Sequence, residues 1–134
     1  LFWYSLRRGA KLGITAGAVY GMVQFAIEPY FFHPVQVVLD YPIAFGALGL
    51  AGLFRNRELG GVVTGIVGRF LAHFVSGVVF FATFAPQIYL GLNIAANAYA
   101  YSALYNGSYL VPELVISSVV MAVIVRRKMV DLYK

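Results

Sequence analysis

Ten lysine and arginine residues occur in this chain, and all but Arg69 fall in alternate connections between long apolar runs. Arg7, Arg8 and Lys11 form the first cluster, Arg55 and Arg57 the second, and Arg126, Arg127, Lys128 and Lys134 the last. The connections around Tyr30 and His33 and around Gln87 and Asn93 hold no Lys or Arg. That alternation is the positive-inside pattern of a multi-pass membrane protein, with the basic connections and the C-terminus on the cytoplasmic side. A composition of 61% hydrophobic and 11% charged residues agrees, since it is far more apolar than a globular chain requires. The basic residues are accounted for as orientation signals, so no nucleic-acid partner is expected.

The apolar runs set the helices. Leu12 to Ile27 makes a helix about 24 Å long, with Gly9, Gly13, Gly17 and Gly21 forming a ridge that lets a neighbouring backbone approach closely. The next run contains Pro34 and Pro42. Started at Pro42 it reaches only about 20 Å to Phe54, whereas Pro34 is a good first-turn residue and gives about 31 Å, which matches the hydrocarbon core. The longer helix is therefore expected, kinked by Pro42 beside Asp40 and Tyr41. Gly61 to Phe84 reads as a further helix, and the last runs from Ala95 or Ala98 to Val125 with Pro112 inside it. Leu1 to Leu6 is too short to span and reads as the end of a helix whose beginning is missing. The expectation is an all-α transmembrane bundle of four complete spans plus an N-terminal stub, in a single membrane domain over residues 1–134.

Inside these runs the polar residues are few. Arg69, His73 and Ser76 recur at helical spacing and share one face. Asp40 lies about 9 Å below the outer end of its helix, His73 about 17 Å and Asn106 about 12 Å, depths compatible with one cavity open to the outside. Tyr41, Tyr101, Tyr105 and Phe81 sit at or above that level and would wall it. A carboxylate, an imidazole, an amide and aromatic faces suit a flat heteroaromatic ligand, including a cationic one. Arg69 and Glu113 lie about 12 and 18 Å from the inner ends of their helices and read as a structural ion pair below the cavity. The alternative for each lone Asn or His is a hydrogen bond that only joins helices, and His33 reads as interfacial. No phosphate loop, metalloprotease motif or nucleophile elbow is present, and with two histidines and no cysteine no metal site is expected. Neither enzymatic activity nor a cofactor is expected.

Three stretches carry a family resemblance: Tyr30-Phe-Phe-His-Pro-Val-Gln-Val-Val-Leu-Asp-Tyr-Pro42, Gly68 to Gly77, and Ala100-Tyr-Ser-Ala-Leu-Tyr-Asn-Gly107. Together they resemble the thiamine-specific substrate-binding subunit, or S component, of energy-coupling-factor (ECF) vitamin transporters. The resemblance implies a six-helix subunit of the bacterial plasma membrane that captures thiamine at its outer side, with Tyr30, Asp40, Tyr41, His73, Tyr101 and Asn106 at the vitamin. Some family members carry a tryptophan where this chain has Phe81. The family's first helix, the loop after it and most of its second helix have no counterpart in this sequence. The implied partners are thiamine, the lipid bilayer, an ECF transmembrane coupling subunit and two cytoplasmic ATPase subunits. A self-sufficient, proton-coupled thiamine importer using Asp40, His73 or Glu113, and a non-transport helical scaffold, are the alternatives.

Overall fold

Backbone polar groups in lipid can be satisfied only within the protein, so each apolar run closes into a helix. The computed structural model describes residues 1–127. Helix α1 (Phe2–Arg8) and helix α2 (Ala10–Ile27) meet at Gly9, whose φ of +92° is open to glycine and turns the chain back. A composite segment follows: α3 (Pro34–Val38), a π-helical turn (Leu39–Ile43), α4 (Ala44–Ala47) and a 3-10 turn (Leu48–Leu53). Helix α5 (Glu58–Phe80) and helix α6 (Ala98–Arg126) complete the bundle. Four segments, α2, Pro34–Leu53, α5 and α6, are long and apolar enough to cross a membrane, as the hydropathy pattern requires. Lys128 and Lys134, part of the last basic cluster, lie outside the described residues.

Several boundaries differ from the sequence reading. Pro42 has no N–H to give to the carbonyl of Val38, and the chain absorbs this in the π turn, where the Ala44 N–H reaches back to Leu39 O. Helix α5 ends at Phe80 and not at Phe84. Phe81 closes it with its N–H on Gly77 O, Ala82–Phe84 forms a 3-10 turn, and Ala85, placed before Pro86, is extended. A short hairpin, β1 (Ile88–Tyr89) with β2 (Leu92–Asn93), turns at Leu90 and Gly91, both at positive φ. Of the two starts considered for the last helix, Ala98 is the one used. The Asn97 side chain caps it by accepting from the N–H groups of Tyr99 and Ala100.

The glycine ridge explains how α2 meets the composite segment. A Cβ added at Gly17 would overlap the carbonyl oxygen of Phe45, and one at Gly21 that of Tyr41. The two backbones are therefore in direct contact, the small-residue packing that replaces the hydrophobic drive inside lipid. A Cβ added at Gly9 would meet nothing, so this glycine serves the turn, while its backbone is approached by Gly52 of the composite segment. Helices α5 and α6 run antiparallel, since Gly77 faces Ser102 while Arg69 reaches Glu113. At the end of the bundle that carries the basic turns, Arg55 donates to the carbonyls of Leu6 and Arg7 at 3.3 and 2.7 Å, which caps α1.

Candidate functional site

A cavity of about 650 Å³ opens between the composite segment, α5, α6 and the 28–33 loop. Every residue expected at a substrate site, from Tyr30 on that loop to Asn106 on α6, lines it.

Asp40 is its polar centre. Its position in the π turn sets the carboxylate opposite α5, where Ser76 Oγ donates to Oδ2 at 2.9 Å and His73 Nδ1 lies 3.0 Å from Oδ1. Gln36, one turn earlier, donates its Nε2–H to Oδ2 at 2.7 Å. A carboxylate offers about four acceptor positions, and these three donors leave about one for a ligand. On the far side of the imidazole, Arg69 Nε donates to His73 Nε2 at 3.4 Å. The pattern assigns the neutral tautomer with its proton on Nδ1, because the other nitrogen has to accept.

Arg69 spends its charge elsewhere. Its Nη1 lies 2.8 Å from both Glu113 oxygens, and its guanidinium carbon sits 4.4 Å above the Phe45 ring. The pair therefore forms a floor below the carboxylate. With Arg69 neutralised by Glu113, the remaining charges at the cavity are the carboxylates of Asp40 and, at the rim, Glu28. The cavity thus favours a cation.

Aromatic rings supply the walls. Tyr101, Tyr105 and Tyr109 follow each other along α6 with centroids 5.9 and 6.0 Å apart, as their four-residue spacing dictates. Tyr89 of the hairpin meets Tyr101 at 5.1 Å, and Tyr30 and Phe32 meet Phe81 at 5.8 and 5.5 Å. The Phe81 ring keeps its place at the wall although its residue ends the helix.

Other candidates are already committed within the protein. The Tyr41 hydroxyl donates to Glu28 O at 2.9 Å and accepts from the Tyr30 N–H at 3.1 Å, so it braces the loop and offers the cavity its ring. Asn106 donates to Ser102 O and Oγ and accepts from Tyr109 Oη, leaving spare acceptor capacity only on Oδ1. His33 caps α3 by accepting from the Val35 N–H and stacks on Phe80 at 5.1 Å.

The sequence reading missed Gln36, Tyr109 and Ser102. Each stands four residues from a residue that it singled out, Asp40, Tyr105 and Asn106, and that spacing was the available signal. Among the described residues no His, Asp and Glu group is placed to hold a metal ion.

Comparison with known proteins gives a consistent result. The family described as thiamine transporter protein matches residues 1–132. The thiamine transporter ThiT of Bacillus subtilis is 35% identical over 141 residues, spanning 92% of this chain and 70% of its own length. ThiT of Lacticaseibacillus paracasei is 29% identical over 140 residues, spanning 90% of this chain and 66% of its own. A solved structure of ThiT from Listeria monocytogenes has the same fold, with a TM-score of 0.81 at 22% identity over 94% of this chain and 74% of that one.

Proposed function

We propose, because the chain belongs to the thiamine transporter protein family, that its cavity takes up thiamine from the outer side as the S component of an ECF-type transporter. It is a bacterial membrane protein whose role is transport and not catalysis. The observation that carries the reading is the Asp40 carboxylate, held by three donors and facing an aromatic cavity of about 650 Å³, a size ordinary for a small-molecule site. Thiamine pairs an aminopyrimidine, which has donor and acceptor edges, with a permanently cationic thiazolium. The remaining acceptor position on Asp40 and Asn106 Oδ1 suit the donors, and the tyrosine and phenylalanine faces suit the rings and the charge. A neutral analogue that keeps the pyrimidine and replaces the thiazolium is expected to bind about 30-fold more weakly, the equivalent of about 2 kcal/mol for a desolvated cation–π contact. Competition against thiamine in detergent measures this. Equal binding of the analogue removes the electrostatic argument, and displacement of thiamine by riboflavin or biotin points to another vitamin.

In this reading the ATPase and coupling subunits are separate chains, the basic connections face the cytoplasm, and residues 1–134 form one membrane domain. The hydrogen-bonded row Glu113, Arg69, His73, Asp40 is the feature that a proton-driven importer would exploit. Arg69 interrupts it, because a guanidinium does not give up its proton in a protein. Uptake should therefore be absent when the chain alone is reconstituted in liposomes under an imposed pH gradient. Uptake under those conditions would overturn the division of labour.

A further inference from the structure

Gln36 is wholly buried in an apolar segment, 0% exposed, and its amide spans two parts of the site. Nε2 donates to Asp40 Oδ2 at 2.7 Å, and Oε1 accepts the Phe32 N–H at 3.1 Å. The orientation is dictated by charge: an ionised carboxylate only accepts, so the amide meets it with its NH2 and turns its carbonyl to the loop. That loop closes one side of the cavity, with Glu28 and Tyr30 in the wall and the Phe32 ring 5.5 Å from Phe81. A second tether, the Tyr41 hydroxyl, grips the loop at Glu28 O and the Tyr30 N–H. Of these two tethers only Gln36 ends on the carboxylate.

We propose that Gln36 is a positioning residue that links the Asp40 carboxylate to the loop backbone at Phe32, so that a cationic substrate bound at Asp40 holds the loop against the Phe81 wall. This rests on the reading of the cavity as a thiamine site. A cation or donor at Asp40 fixes the carboxylate among its partners, and the oriented amide passes that order to the Phe32 N–H. The Tyr30 N–H, held by Tyr41, has its own tether.

The test is site-resolved hydrogen exchange on the full chain in detergent, with and without thiamine, combined with association and dissociation rates. In the unsubstituted chain thiamine should slow exchange of the Phe32 amide. In Gln36→Met, which keeps the length and removes both hydrogen bonds, that slowing should vanish while the Tyr30 amide keeps its protection. Thiamine dissociation should then be about tenfold faster, the effect of one lost hydrogen bond to a charged group, with association unchanged. If Gln36→Met does not fold, Gln36→Asn serves, because the shorter amide cannot reach both partners, and the same loss is expected. The inference is overturned if the Phe32 amide of the variant still responds to thiamine with an unchanged dissociation rate. It is also overturned if Tyr30 and Phe32 lose protection together, which marks general loosening. Thiamine binding to the unsubstituted chain without a Phe32 response overturns the inference alone, whereas no binding overturns the thiamine reading as well.

Discussion

Arg69→Met is expected to destabilise the protein by about 3 kcal/mol, the low end of the range for breaking a buried ion pair, because this pair is only partly buried, and adding Glu113→Gln is expected to return most of that loss. The single change leaves the Glu113 carboxylate without the Nη1 group that lies 2.8 Å from both of its oxygens. The second change removes the orphaned charge. Recovery should be incomplete, because the guanidinium also rests on Phe45 and donates to His73, and about 1 kcal/mol should remain missing for the cation–π contact. Thermal unfolding in detergent of the parent, both single variants and the double variant gives the coupling directly. Simple addition of the two single effects would show that the residues do not act as a pair.

Asp40→Asn should weaken thiamine binding about 100-fold, in keeping with the loss of hydrogen bonding to a charged group, while the helical signal persists. The shape is retained but the acceptor capacity is not. Asn offers one oxygen where Asp40 receives Gln36, His73 and Ser76, and its NH2 must face at least one of those donors. His73 cannot relieve the conflict by shifting its proton, because Nε2 would then oppose Arg69. Titration of the purified variant with thiamine checks this, and an unchanged dissociation constant would remove Asp40 from the site.

The spans were legible because lipid leaves the backbone no choice, and the polar residues because charge in lipid is costly and therefore conspicuous. Gln36 carries no charge to make it conspicuous, and only its four-residue spacing from Asp40 pointed to it. The sequence could not reveal that the Tyr41 hydroxyl serves the loop, because that depends on where Glu28 and Tyr30 return in space. The end of α5 was hidden by composition: Phe81 to Phe84 continues the apolar run after the helix has stopped. The hairpin was hidden by its brevity, two residues per strand.

The spacing along the composite segment shows what its π turn achieves. Gln36, Asp40 and Phe45 all face the cavity, at intervals of four and then five residues. In an uninterrupted α-helix each residue advances about 100°, so Phe45 would point about 140° away from Asp40. The π turn takes up one extra residue and acts as a phase shift between the outer and inner halves of the segment. The outer half can thus hold the loop while the inner half supports Arg69, both on the same side. Winding Leu39–Ile43 as regular α-helix with all its residues kept would turn Phe45 about 140° from Asp40 and put the two halves out of phase, even with every functional side chain retained.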